Sequence, residues 1–98
     1  MVEKTKVTVA PSTCVDHDRE RYYVEVEFPG VEKKDIELEL GEQTFCVRAV
    51  REDLEYSGCY YLAHPVDVDK AEATYESGLL KITVPLKQPL RGRKIPVK

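Results

Sequence analysis

Apolar and polar side chains alternate with a period of two along most of the chain. In an extended strand successive side chains point to opposite faces, so each alternating segment is expected to bury one face. Helical periodicity is weak throughout. About seven to nine short strands of this kind predict an all-β fold, an immunoglobulin-like antiparallel β-sandwich. The alternating segments are residues 7–9, 12–15, 22–28, 36–40, 45–48, 56–62 and 80–84.

Turn-forming residues separate the alternating segments. Residues 29–30 are Pro-Gly, residues 41–43 are Gly-Glu-Gln, and residues 77–78 are Ser-Gly. Proline removes a backbone donor and glycine permits positive φ, so these positions end strands and open turns. The second and third of them are expected to be hairpin connections.

Length and charge suit one domain that binds other proteins. The chain has 98 residues, enough to bury a core without a metal ion or a disulfide. With 15 Lys and Arg against 18 Asp and Glu, nothing global attracts nucleic acid or an anionic membrane. The charge is uneven, since residues 25–55 carry ten acidic and four basic side chains, whereas residues 87–98 carry five basic and no acidic ones. We therefore expect the C-terminal tail to be attracted to a neighbouring domain.

Targeting signals and cysteines indicate the compartment. Residues 1–6 contain no apolar signal region, and no apolar run approaches the ~20 residues that span a bilayer. The three cysteines, Cys14, Cys46 and Cys59, form no Cys-x-x-Cys pair, and an odd number favours reduced thiols. We expect a cytoplasmic protein whose cysteines are small apolar strand residues.

Three segments, in order, carry a pattern known from one family. Residues 23–36 hold a strand, a Pro-Gly-Val turn, a charged pair and an Asp-Ile dipeptide. Residues 66–85 hold the spacing Ala-x-x-x-x-Gly-x-Leu and a following strand, and residues 95–97 read Ile-Pro-Val. With these spacings the chain resembles the small heat-shock proteins. The resemblance implies a short N-terminal arm at 1–6, an α-crystallin domain at 7–86 and a tail at 87–98.

The same resemblance implies a binding site. In the family the tail motif docks into a hydrophobic groove at the edge of a neighbouring domain, between the strand before the Gly-x-Leu element and an early strand. The tail motif here is Ile95, Pro96 and Val97; period two puts both branched side chains on one face, and Pro96 suits an edge. The groove candidates are Ile36, Leu38, Leu79, Leu80 and Val84. The ten residues from Pro85 to Ile95 span roughly 33 Å when extended, which permits docking on a neighbour or on the same domain.

The chain departs from the family in two places. Only residues 51–54 are available where relatives that swap a strand have a long loop, so a tight hairpin is expected in place of strand swapping. A dimer should then use an exposed edge, which we assign to Tyr56, Tyr60 and Tyr61. An arm of only residues 1–6 would also lack a segment that relatives use for binding unfolding proteins and for assembly.

Catalytic and metal sites have little support. Cys14-x-x-His17 has the spacing of a metal half-site, but in a strand Cys14 and His17 point to opposite faces. Cys59 and His64 are the only Cys and His near each other otherwise, and no phosphate-binding loop is present. We expect no catalytic residue, no metal ligand, no cofactor and no enzymatic activity.

The function implied is that of an ATP-independent chaperone, a holdase that binds partly unfolded proteins and suppresses their aggregation. Its partners would be unfolding client proteins and further copies of itself, as a dimer or larger oligomer, with neither nucleic acid nor membrane involved. The alternative is an adaptor or co-chaperone of the CS-domain type, which shares the sandwich and docks on a larger ATP-driven chaperone. The missing swap loop favours the adaptor, and the three motifs favour the holdase.

Overall fold

Strands make up most of the chain between Val7 and Pro85 in the computed structural model, which describes residues 7–98. The predicted arm at 1–6 lies outside the described residues. Two single turns of 3-10 helix, Lys33–Asp35 and Val68–Lys70, interrupt the strands. Neither of these turns could cross a bilayer, and no longer helix occurs within 7–98. The strands are β1 Val7–Val9, β2 Thr13–His17, β3 Arg21–Glu27, β4 Ile36–Leu40, β5 Thr44–Arg51, β6 Leu54–Tyr61, β7 Glu72–Glu76 and β8 Leu79–Pro85.

Two four-stranded sheets pack face to face. One has the strand order β1-β6-β5-β4 and the other β2-β3-β8-β7. All neighbouring strands are antiparallel except β1 and β6, which are parallel. This arrangement confirms the predicted all-β sandwich. It also leaves β4 and β7 at the edges of different sheets.

The core lies between the sheets and follows the alternation in the sequence. Along β3 buried and exposed residues alternate without a break, so that Tyr22 is buried and Tyr23 is exposed, as predicted. Fully burying one such side chain contributes roughly 1.5–3 kcal/mol. The core residues are Tyr22, Val24, Val26, Phe28, Val31, Phe45, Val47, Ala49, Tyr56, Leu62, Val66, Leu80, Ile82, Val84 and Leu86.

A tight hairpin joins β5 to β6, as the sequence predicts. Arg51 pairs with Leu54, so only Glu52 and Asp53 form the turn, and Glu52 has a positive φ of 49°. This turn sets the register of the whole hairpin. Pairing then continues without interruption as far as Thr44 and Tyr61.

The hairpin register brings two cysteines together. Cys46 lies directly opposite Cys59, with 4.1 Å between their Cα atoms, and the two form a disulfide bond. The prediction of reduced thiols is therefore wrong for this pair, whereas Cys14 is free and exposed. Counting cysteines and looking for Cys-x-x-Cys cannot reveal a cross-strand pair, because the pairing depends on the turn.

We predict that the disulfide is a major source of stability. The bond joins residues 13 positions apart, and closing a loop of that size is worth about 3 kcal/mol in the unfolded chain. The Cys46→Ala/Cys59→Ala double variant should lose about this much free energy of unfolding in urea denaturation. Cys14→Ser is the control and should change it by less than about 0.5 kcal/mol. Equal urea midpoints for the native protein and the double variant would contradict the prediction.

Candidate functional site

An apolar groove lies between the edge strands β4 and β7, and we call it the β4–β7 groove. It encloses about 160 Å³. Period two along β4 turns Ile36 and Leu38 toward the interior while Glu37 and Glu39 face outward, and the edge position leaves both apolar side chains only half buried. The residues that line the groove are Lys33, Ile36, Leu38, Ala73, Thr74, Tyr75 and Leu80.

Tyr75 connects the groove to the nearest turn. Its ring lines the groove, and its hydroxyl oxygen lies 2.8 Å from the carbonyl oxygen of Phe28 and 2.7 Å from that of Val31. The single hydroxyl proton donates to one of these carbonyls at a time. Burial raises the pKa of Tyr75, with a further contribution from Tyr56, so the phenol keeps its proton. The Pro-Gly-Val turn is thereby held against the wall of the groove.

The two glycine turns of the predicted pattern pack against each other at this end of the sandwich. The N–H of Phe28 donates to the carbonyl oxygen of Gly78 at 2.7 Å. Gly30 and Gly78 both have positive φ, 77° and 81°. The positive φ favours glycine at both positions, while a Cβ atom at Gly78 would only touch the Cα of Pro29, at 3.4 Å.

The structure brings together three of the five groove candidates. Ile36, Leu38 and Leu80 line the same cavity. Leu79 lies in a separate cavity of about 390 Å³ beside Pro29, because it points to the opposite face of β8 from Leu80. Val84 is only 1% exposed and belongs to the core, so it does not line the groove.

Sequence reasoning missed the β7 wall of the groove. Ala73, Thr74 and Tyr75 lie on β7, within the segment that carries the Ala-x-x-x-x-Gly-x-Leu spacing. The antiparallel register places Tyr75 opposite Leu80. Counting back from the Gly78 turn would have identified this wall, since residues opposite each other in a hairpin face the same side.

The tail is attached to the domain as far as Leu90. Backbone N–H groups of Leu86 and Leu90 donate to the carbonyls of Glu20 and Arg19 at 2.7 and 2.8 Å, and Leu90 packs against the core. Beyond Leu90 every residue is exposed, including Ile95 at 73% and Val97 at 98%. The tail motif therefore lies free of its own domain.

An ion pair reinforces the start of the tail. Lys87 bonds to Glu42, and this hydrogen bond and the carboxylate's charge raise the pKa of Lys87. The N–H of Lys87 also donates to the carbonyl of Pro65 at 2.9 Å. The chain is thus held to both sheets before it leaves the domain.

The three candidate edge tyrosines occupy different environments. Tyr56 is a core residue, 8% exposed, with its ring edge-on to Phe28. Tyr60 stacks on Phe45, and its hydroxyl lies 3.1 Å from that of Thr13. Tyr61 is 90% exposed and is the one of the three that a second copy could contact fully. Tyr56 faces inward because the pairing of β6 with β5 points its side chain between the two sheets.

Comparisons with known proteins agree with the observed fold. A family model described as Hsp20/alpha crystallin family matches residues 15–98. "18 kDa antigen 2" of Mycobacterium avium is 29% identical over 82% of this chain and 68% of its own length. "Probable 15 kDa heat shock protein" of Leptospira interrogans is 28% identical, covering 98% of this chain and 85% of its own. The solved structure "Heat shock protein 16.0 from Schizosaccharomyces pombe" has a TM-score of 0.77 at 24% identity, covering 92% and 99% of the two chains.

We predict that the Tyr75 hydroxyl stabilises the wall of the groove. Tyr75→Phe keeps the ring and removes one buried hydrogen bond, so the free energy of unfolding should fall by about 1 kcal/mol. Urea denaturation measures the change. Tyr61→Phe is the matched control, because its exposed hydroxyl should contribute less than about 0.5 kcal/mol. Equal effects of the two substitutions would show that Tyr75 does not anchor the turn.

Proposed function

The chain belongs to the Hsp20/alpha crystallin family, and on that premise we propose that it is an ATP-independent holdase. Members of this family are chaperones, not enzymes. In our proposal the protein binds partly unfolded clients in the cytoplasm and slows their aggregation, and it self-associates as a dimer or larger oligomer. The observation that carries the proposal is the β4–β7 groove together with the free Ile-Pro-Val tail.

The groove suits an extended apolar segment. Ile36 and Leu38 present half-buried aliphatic surface beside the buried Leu80, and the strands on either side are sheet edges. An edge strand offers backbone donors and acceptors to an added strand, while the cavity receives alternate side chains. An unfolding protein exposes segments of this kind. Binding them needs no nucleotide, because burial of apolar surface supplies the free energy.

The tail motif fits the same surface. Ile95 and Val97 lie two residues apart, so both side chains project from one face of an extended segment. Pro96 between them cannot donate to a sheet ladder, which suits a segment added at an edge. We propose that the docked tail and a client compete for the groove.

The attachment at Leu90 supports docking on a second copy. From Leu90 an extended chain lets Ile95 reach roughly 17 Å. On the same domain Leu80 lies five residues along β8 from Pro85, roughly 17 Å, and β8 is two strands from β2, roughly 10 Å. The straight-line separation is therefore roughly 19 Å, which is at the limit of the tail's reach. The free part of the tail is shorter than the span of roughly 33 Å expected from Pro85, because the chain is attached as far as Leu90.

Charge complementarity supports the same partner. Glu39 on β4 and Glu72 and Glu76 on β7 are exposed on the strands beside the groove. Arg93 and Lys94 directly precede the tail motif. Opposite charges steer association and set the orientation of a bound segment. A second copy of this chain therefore presents an apolar complement of the groove and basic residues for the carboxylates beside it, although Lys33 also lines the cavity.

We predict that assembly depends on tail and groove in different molecules. Ile95→Gly/Val97→Gly removes the side chains that dock, and Leu38→Glu places a charge in the cavity. Each variant should form a smaller assembly than the native protein in light scattering. A mixture of the two should recover a 1:1 complex, since one supplies an intact groove and the other an intact tail.

Val15→Glu is the matched control for Leu38→Glu, because Val15 is also a partly exposed apolar residue on an edge strand, β2, outside the groove. It should leave the assembly size unchanged. Circular dichroism checks that each variant is folded. Native assembly size in the tail variant, or no complex in the mixture, would contradict docking between copies.

We predict that aggregation suppression depends on the groove and not on nucleotide. The native protein should reduce the light scattering of a heat-aggregating enzyme equally with and without ATP. Leu38→Glu should suppress aggregation less, whereas the tail variant, with its groove uncovered, should suppress it at least as well as the native protein. A monomeric native protein with no effect on the client would contradict the holdase and favour the adaptor.

A further inference from the structure

The chain has two histidines, and the fold brings them side by side. His17 ends β2, and His64 lies in the segment that follows β6. Their ring centroids are 5.1 Å apart and the ring planes are nearly perpendicular, at 79°. The sequence separates the two residues widely, so their meeting is a product of the packing of the two sheets.

A buried tyrosine fixes both histidines. Tyr22 is 2% exposed, and its ring centroid lies 4.9 Å from that of His17 and 6.4 Å from that of His64. The backbone N–H of His64 donates to the Tyr22 hydroxyl oxygen at 3.1 Å. The two imidazoles are therefore held on a rigid base, unlike two surface side chains that happen to meet.

The hydrogen bonding of His17 leaves one nitrogen available. Its Nδ1 lies 2.9 Å from the carbonyl oxygen of Asp18. A carbonyl only accepts, so in the neutral ring Nδ1 carries the proton and Nε2 keeps a free lone pair. Histidines that bind metals usually donate their other N–H to a backbone carbonyl or carboxylate in this way.

The Asp18 turn that holds this carbonyl is itself well fixed. The N–H groups of Glu20 and Arg21 donate to Asp18 Oδ1 at 2.7 and 2.9 Å. These two hydrogen bonds lower the pKa of Asp18. The Asp18 carboxylate is thus held by hydrogen bonds within the turn, and the Asp18 carbonyl points toward His17.

We propose that His17 and His64 form a binding site for a divalent transition-metal ion of the Zn²⁺ class. Two imidazole nitrogens at about 2.0–2.1 Å on adjacent corners of a tetrahedron place the ring centres roughly 5 Å apart, close to the 5.1 Å between these rings. Imidazole suits Zn²⁺, Cu²⁺ and Ni²⁺ better than Ca²⁺ or Mg²⁺.

Water completes the coordination of the ion. Within residues 7–98 no group of three His, Cys, Asp or Glu side chains converges on one point. His64 opens onto a surface cavity of about 420 Å³ that Lys87, Gln88 and Leu90 also line, which leaves room for water ligands. With two protein ligands the site binds its ion more weakly than a four-ligand structural zinc site.

A bound metal ion would connect the edge strand β2 to the segment that carries His64. In the described chain β2 pairs only with β3, and the ion would link it to the segment carrying His64. That segment also holds the start of the tail through Pro65 and Lys87. An ion bound only by the folded state stabilises it by RT ln(1 + L/Kd), where L is the free ion concentration.

The test uses untagged protein carrying Cys14→Ser, with the Cys46–Cys59 disulfide intact, so that no free thiol competes for the metal. Isothermal titration with ZnCl₂ should give one ion per chain and a raised melting temperature. His17→Gln and His64→Gln should each weaken binding roughly tenfold or more. Glu25→Gln, an exposed carboxylate on the neighbouring strand β3 opposite Cys14, is the control and should bind as before.

A second readout separates coordination from packing. Two histidines can also meet edge to face as an ordinary aromatic pair, which binds no ion. Co²⁺ held by imidazoles gives visible absorption bands that shift from those of the aqueous ion, and either histidine variant should abolish the shift. Absence of Zn²⁺ binding, or binding unchanged in both histidine variants, would overturn the proposal. The result is independent of whether the protein suppresses aggregation.

Discussion

Phe28 is fully buried, and its backbone joins the two glycine turns at the end of the sandwich beside the β4–β7 groove. The shape of the groove depends on these turns. The N–H of Phe28 donates to Gly78, and its carbonyl faces the Tyr75 hydroxyl. This junction holds the Pro-Gly-Val turn, which leads into β4, against the hairpin that follows β7. The separation of the two edge strands is therefore set by hydrogen bonds and glycine geometry at one point. The apolar side chains of the groove then only have to fill the space that this junction defines.

The alternation in the sequence was sufficient to predict the sandwich and every strand except β7, because each depends on local pattern, whereas the short β5–β6 hairpin followed from the resemblance to the family. Contacts between residues on different strands could not be predicted from local pattern alone. Leu79 and Leu80 were both assigned to the groove, although adjacent strand residues face opposite sides. Cys46 and Cys59 follow from the hairpin itself, since a turn at Glu52 and Asp53 puts them opposite each other. His17 and His64 could not be paired from sequence, because their contact depends on how two sheets pack.

The proposed function uses one surface for two purposes. The groove that would accept an unfolding segment has the same apolar floor and acidic surroundings that fit the chain's own tail. A client must therefore displace, or arrive before, a segment with favourable charge and matched spacing. Such competition makes the affinity of the tail as important as that of the client, because only the difference between them determines which is bound. Weak tail docking favours chaperone activity, and strong docking favours storage as an assembly.

The attachment of the tail at Leu90 has a consequence for how such a protein responds to its own abundance. In the proposed docking, a tether at the limit of its reach gives a low effective local concentration at the groove of its own domain. Occupancy would then depend mainly on mass action between molecules, so that dilution empties grooves and accumulation fills them. A cell holding a large stock would keep the surface covered, and each molecule drawn away by a client would lower the concentration that keeps the others closed.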